Sequence, residues 1–428
     1  MVLKFTLFVA LAISSITARK APNADYAKTL IEADPALRMS NSIEEDSQLD
    51  VPGLIGKYGY PIEVHNVVTS DGYILEAHRI PHGKYENNDP TVKRPVVFLL
   101  HGLLSSSADF VVLGPGNALA YLLAEAGYDV WLGNARGNYY SRRHRSLNPN
   151  TNLLQNFWKF SWDEIGNHDL PAFIDYILKN TGQEKLHYIG HSQGGTSFLV
   201  LNSLRPEYNN KFLSFHGLAP ASFFTHNEVP MFKALASLES TIETTAFALG
   251  HAEILGQNRR ATWFQDNFCS GILANAFGVF CNIELLSGLT EREYYNATMV
   301  PLFLAHVPAG ASIRQVAHFG QSIRYNTFRR YNHDTSVQNL IAYGRLRPPA
   351  YDLKRVTAPV YLHYGQADSE VHFKDVLLLA NALPNVKSVF KAERDSFNHF
   401  DFIWGIDAKE QIYFKNLIPL LKETDSRQ

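Results

Sequence analysis

The sequence predicts an α/β fold with a mostly parallel central sheet, helices on both faces and a helical cap inserted before the last strands. Three observations predict it. Short β-branched and aromatic runs alternate with helical stretches from about residue 95 to 220, which is the rhythm of strand–helix crossovers. The rhythm stops at about residue 221 and resumes at Val360. One strand–helix junction carries Gly190-His191-Ser192-Gln193-Gly194, a G-x-S-x-G sequence in the setting a strained nucleophile turn requires.

A chain of 428 residues, 46% hydrophobic and 12% aromatic, is long and apolar enough for one large α/β domain with an insertion. The net charge of −2 gives no electrostatic footprint for a nucleic-acid partner. At the N-terminus, Lys4 precedes an apolar run over 5–16 and the small exit Thr17-Ala18. That describes a signal peptide over 1–18; its apolar core is too short for a bilayer span. No later segment is apolar enough to be a transmembrane anchor, so a protein starting near Arg19 in a secreted or lysosomal compartment is expected. The expected organisation is an arm over 19–50, a first core segment over 51–220, a cap over 221–343 and a second core segment over 344–428. A monomer is expected.

The elements follow in order. The arm is polar and irregular, suiting a loose segment or a pro-segment. Residues 63–69 and 73–80 flank Asp71-Gly72, a strong hairpin signal, and form an antiparallel pair at the sheet edge. Residues 95–100 are nearly all apolar, as in a strand covered on both faces. A helix over 119–126 stops at Gly127, and 128–132 is the next strand. A helix around 171–178 leads to the strand at 186–189, and the stretch 195–204 reads as the helix after the G-x-S-x-G turn. Residues 213–219 are a further strand. In the cap, Met231, Leu235, Leu238 and Ile242 share one helix face, and Phe247, Phe264, Phe268, Phe277 and Phe280 add apolar bulk. Strands return at 360–364 and 386–391.

The chemistry centres on Ser192. A tight strand–turn–helix places its hydroxyl above the sheet, and glycines two residues away on either side avoid clashes with neighbouring backbone. This is the nucleophile elbow of the α/β-hydrolase fold. A serine hydroxyl needs a base, and the fold's chain order is serine, then an acid after a later strand, then a histidine near the C-terminus. Asp368 and His399 occupy those places. His372 comes too early to be the base, and Asp395 and Asp401, which flank His399, do not follow a strand as Asp368 does. The strand at 95–100 ends in His101-Gly102-Leu103, suiting a loop that donates one backbone N–H to an oxyanion hole. Leu103 and Gln193 are the expected donors. His101 and His191 are expected to be structural. No H-E-x-x-H, four-cysteine set or Gly-rich phosphate loop occurs, so neither metal nor cofactor is expected. Cys269 and Cys281 are the only cysteines; in an oxidising compartment they are expected to pair, the alternative being two buried thiols. Asn296-Ala297-Thr298 is a glycosylation sequon.

Several of these stretches together resemble the acid lipase family, the animal group that includes lysosomal acid lipase and gastric lipase. They are Gly59-Tyr60-Pro61 with Glu63, Asp71-Gly72-Tyr73, Arg79-Ile80-Pro81, His101-Gly102-Leu103, Gly133-Asn134-Ala135-Arg136-Gly137-Asn138, Phe160-Ser161-Trp162-Asp163-Glu164, the Ser192 pentapeptide, Pro308-Ala309-Gly310, Pro348-Pro349 and His399-Phe400-Asp401-Phe402. The resemblance implies hydrolysis of neutral lipid esters, triacylglycerols or sterol esters, at a lipid–water interface or micelle. It implies the same roles for Ser192, Asp368, His399, Leu103 and Gln193. The chain departs from the family at Gly365-Gln366-Ala367-Asp368, where Gly-Gly-x-Asp is common, and at Tyr331-Asn332-His333-Asp334, where the family has Tyr-Asp-Tyr-Gly. After Asp368 it has Ser369-Glu370-Val371-His372 instead of a Trp-Leu-type run. These changes bear on pocket shape and substrate preference. A short-chain carboxylesterase and a non-catalytic lipid carrier remain the alternatives; the carrier has no need of the complete serine–acid–histidine set.

Overall fold

The computed structural model describes residues 19–21, 24, 41–151, 155–227, 230–256, 294, 299–333 and 335–427. The strands are β1 (Glu63–Val68), β2 (Tyr73–Ile80), β3 (Val96–Leu100), β4 (Asp129–Gly133), β5 (Arg143–His144), β6 (Leu186–His191), β7 (Phe212–Leu218), β8 (Glu253–Ile254), β9 (Ala311–Ser312), β10 (Val360–Tyr364) and β11 (Val386–Lys391). The main sheet runs β1-β2-β4-β3-β6-β7-β10-β11, with β5 paired to β2. From β4 to β11 every neighbouring pair is parallel, whereas β1–β2 and β2–β4 are antiparallel.

Local sequence explains both halves. Every residue of β3, β4, β6 and β7 is buried, which is why these strands read as continuous apolar runs rather than alternating ones. The β1–β2 hairpin turns at Asp71-Gly72, where Gly72 has φ 99°, a conformation that costs a glycine little. The helices that cover the sheet are α1 (Leu119–Glu125), α2 (Leu170–Thr181) and α3 (Gln193–Leu204). Between β7 and β10 lie α4 (Pro230–Ala248), α5 (Ile313–Tyr325) and α6 (Ser336–Tyr343), followed after β10 by α7 (Phe373–Ala382).

Helices α4 and α5 pack side by side. Arg314 on α5 pairs with Glu243 on α4 at 2.7 Å. A capping box of Ser312 and Gln315 starts α5, satisfying two otherwise free backbone donors. Of the expected apolar face on α4, Ile242 packs against the main core. The side chains of Met231, Leu235 and Leu238 lie outside the described set, as do Phe264, Phe268, Phe277 and Phe280, Cys269 and Cys281, Asn296 and residues 1–18. The two-residue antiparallel ladder β8–β9 has no counterpart in the sequence reading, because two residues carry no periodicity.

The described parts of the arm differ from a loose, irregular segment. Asn41–Asp46 is helical, Lys20 bridges to Leu49, and the Arg19 guanidinium reaches both carboxylate oxygens of Glu76 at 2.9 Å. The loop after β4 is anchored by Arg136, which is buried. It bonds Asp71 of the hairpin turn at 2.7 Å and Asp169, just before α2, at 2.7 Å. Its guanidinium also lies 4.0 Å from the centre of the Tyr73 ring.

Parallel strands share one carboxyl edge, and the loops that leave that edge converge. The loops after β3, β6, β10 and β11 contain Gly102, Ser192, Asp368 and His399 respectively. Sheet topology therefore gathers residues separated by up to about 300 positions.

Candidate active site

β6 ends at His191 and α3 starts at Gln193, so one residue makes the turn. Ser192 makes it at φ 50°, ψ −117°, a region disfavoured for a residue with a Cβ and held only by its surroundings. The Ser192 N–H donates to the Leu218 carbonyl at 2.9 Å, and its own carbonyl accepts from Gly195 at 3.0 Å. A Cβ on Gly190 would lie 2.6 Å from the Gly194 carbonyl carbon and the Gly195 nitrogen. One on Gly194 would lie 2.2 Å from the Leu100 carbonyl oxygen. Both motif glycines are therefore required by close backbone approach, as the sequence reading expects. The N-terminus of α3, with its positive dipole end, sits next to the hydroxyl.

The loop after β3 passes alongside. A Cβ on Gly102 would lie 3.2 Å from Ser192 Cβ and 3.6 Å from Ser192 Oγ. Leu103 follows, half-buried. His101 holds this loop: the Ala135 N–H donates to its Nε2 at 3.1 Å, which leaves the proton on Nδ1 to donate to the Gly102 carbonyl at 2.7 Å. Burial lowers its pKa to about 4, so the ring is neutral and structural.

Asp368 and His399 are brought together. His399 Nδ1 lies 2.9 Å from Asp368 Oδ2, and both residues are buried. The other Asp368 oxygen accepts from the Val371 N–H at 2.7 Å. The two loops also touch through backbone: Ala367 N–H donates to the Phe397 carbonyl at 3.1 Å. Burial opposes charge on His399, yet Asp368, Glu370 and Asp109 overcome it and raise the pKa above the ordinary histidine value. His191 ties the pair to the elbow. Its Nε2 donates to the His399 carbonyl at 3.0 Å, and the two rings lie 4.8 Å apart. Burial, reinforced by His399 nearby, pushes His191 well below the usual histidine range.

The competing residues are engaged elsewhere. His372 accepts from the Lys374 N–H at 3.2 Å and caps α7. Asp395 pairs with Lys391 at 2.6 Å, and Asp401 pairs with Arg394 at 3.0 Å.

Two acidic residues at the site have no assigned part in the sequence reading. Glu370 has a carboxylate oxygen within 4.8 Å of a carboxylate oxygen of Asp368 and of a ring nitrogen of His399. Asp109, in the turn Ser107–Phe110, is buried and hydrogen-bonded by the Ser105 hydroxyl. Burial pushes its carboxyl up to about 7. The only signal for Glu370 in the sequence is its place in Ser369-Glu370-Val371-His372, the stretch that departs from the resembled family's pattern.

Fold and site together define an α/β-hydrolase. A family described as "alpha/beta hydrolase fold" matches residues 95–406, and one described as "Partial alpha/beta-hydrolase lipase region" matches residues 51–114. The chain is 42% identical to Lipase 1 of Drosophila melanogaster, over 88% of this chain and 80% of that one. It is 36% identical to gastric triacylglycerol lipase of Rattus norvegicus, over 88% of this chain and 93% of that one. It is also 36% identical to lysosomal acid lipase/cholesteryl ester hydrolase of Macaca fascicularis, over 89% and 93%. The chain belongs to the acid lipase family and is a carboxylic ester hydrolase. Among the described residues, no helix is long and apolar enough to cross a membrane.

Proposed function

We propose that the protein hydrolyses neutral lipid esters, triacylglycerols and sterol esters, through an acyl-enzyme on Ser192. His399 takes the hydroxyl proton as Ser192 Oγ bonds to the ester carbonyl carbon. Asp368 keeps the proton of the ring on Nδ1, leaves Nε2 free to accept, and stabilises the imidazolium. The backbone N–H groups of Leu103 and Gln193 hold the developing oxyanion. The ester C–O bond then breaks as His399 returns the proton to the leaving alcohol. Water, activated by the same ring, releases the fatty acid.

The observation that carries this reading is the 2.9 Å His399–Asp368 pair on the same sheet edge as a serine at φ 50°. The neutral-lipid substrate is supported by the relatives named for triacylglycerol and cholesteryl ester hydrolysis. The same reading makes 221–343 a cap whose apolar face helps to line an acyl slot. It also takes 1–18 as a signal peptide to a secreted or lysosomal compartment, Cys269–Cys281 as a disulfide and Asn296 as a glycan site.

The test is a pH-resolved panel of glycerol esters from two to eighteen carbons and a cholesteryl ester, run beside Ser192→Ala. Each buried acyl methylene contributes roughly 0.8 kcal/mol, so kcat/KM is expected to rise with chain length until the slot is full. Ser192→Ala should lose on the order of 10⁶-fold with its melting temperature retained. Activity confined to two to four carbons would make this a carboxylesterase.

A further inference from the structure

We propose that Glu370 is a positioning residue for the reaction: a second carboxylate, beside Asp368, that stabilises the imidazolium form of His399 and sets the acid limit of ester hydrolysis. This rests on the serine–histidine–aspartate reading above.

The geometry is that of a built cluster. A carboxylate oxygen of Asp368, a carboxylate oxygen of Glu370 and a ring nitrogen of His399 all lie within 4.8 Å of one another. The Glu370 carboxylate accepts from the Ser369 hydroxyl at 3.0 Å. Its backbone carbonyl accepts from the Asn227 side chain at 2.9 Å, which ties the acid loop to the segment between β7 and α4. Asp368 spends one oxygen on the Val371 N–H and the other on His399, so it is already committed when Glu370 arrives beside it.

The groups facing His399 come from four elements. Asp368 and Glu370 lie on the loop after β10, Asp109 on the turn at 107–110, and His191 on the elbow. On its own loop, Asp401 is paired with Arg394. His191 is held neutral by burial, so its positive form does not compete. Charge near the ring is thus acidic, and at this range an anion favours the protonated ring. Burial and then Asp368 push the Glu370 carboxyl above its ordinary value, while His399 works to lower it.

The chemical consequence has a definite sign. His399 must be neutral to take the Ser192 proton and becomes positive in the transition state. A second anion stabilises that transition state and raises the plateau rate. It also protonates the resting ring at a higher pH, so activity is lost sooner on acidification. An uncharged residue at 370 would leave Asp368 and Asp109 beside the ring and a more acid-tolerant enzyme.

The experiment measures kcat/KM from pH 4 to 9 on a soluble short-chain nitrophenyl ester for the unmutated protein, Glu370→Gln, Glu370→Leu and Glu370→Asp. The acid limb is expected to move down by about one pH unit in the Gln and Leu variants, with a lower plateau and unchanged KM. Glu370→Asp should retain part of the unmutated profile. A merely structural role would lower activity without moving the limb, and an unmoved limb in folded variants overturns the proposal. The unmutated protein supplies an independent check if a variant misfolds. Its rate of labelling by a fluorophosphonate should show a limb above the ordinary histidine pKa of about 6.5, and a limb below that value overturns the proposal. Failure of the triad reading is separable: Ser192→Ala would then keep its hydrolysis and the fluorophosphonate would not label Ser192.

Discussion

Replacing Asp368 by asparagine tests the site at its most constrained point. One Asp368 oxygen accepts from the Val371 N–H at 2.7 Å, and the other accepts from His399 Nδ1 at 2.9 Å. An asparagine has one oxygen and one NH₂. The Val371 N–H can only donate, so the asparagine oxygen must stay there and the NH₂ must face His399. The ring then accepts at Nδ1 and carries its proton on Nε2, the nitrogen that accepts from Ser192 in the proposed mechanism. The fold is preserved and the tautomer is wrong. The expected loss in kcat is on the order of 10⁴-fold, the scale seen when such a triad is left with the wrong tautomer, equivalent to about 5.4 kcal/mol of transition-state stabilisation at about 1.36 kcal/mol per tenfold. KM for a soluble ester should change little, because the bond is used in the transition state and not in binding. The assay is steady-state hydrolysis of a nitrophenyl ester across pH, with thermal melting as the fold control. A folded variant that keeps kcat within tenfold, or that loses only KM, would refute the reasoning.

Two further outcomes test the architecture around the site. Gly194→Ala would place a methyl 2.2 Å from the Leu100 carbonyl oxygen, backbone that cannot step aside; it is expected to destabilise by about 3 kcal/mol or more and to lose ester hydrolysis, as read by denaturant melting and activity. Arg136→Met would leave Asp71 and buried Asp169 without their shared cation, and a loss of about 3–5 kcal/mol is expected. The double variant Arg136→Met/Asp169→Asn should recover part of that loss, and equal stability of the two would show that Asp169 is not the stranded charge.

Much of the site was legible because it is written in local backbone requirements. The elbow needs glycines at 190 and 194: Gly190 faces the backbone of its own turn, while Gly194 faces the Leu100 carbonyl of the neighbouring strand, a close approach that the G-x-S-x-G spacing already records. The hairpin needs a positive φ at Gly72, and the parallel strands need unbroken apolar runs because both faces are covered. Chain order along a parallel sheet also points to Asp368 and His399, since loops at the carboxyl edge converge whatever their spacing in sequence. The tertiary structure alone decided the contacts that depend on how loops meet across that edge. The His191 ring donates to the carbonyl of His399, a residue 208 positions away. Asp109 is buried close enough to raise the pKa of His399. Glu370 turns out to face the same ring as Asp368, and Arg19 finds Glu76. Residue type and spacing are silent on such pairs, because hydrogen bonds and buried charges act over a few ångströms. Which groups come within that range is set by sheet order and by packing of the whole chain.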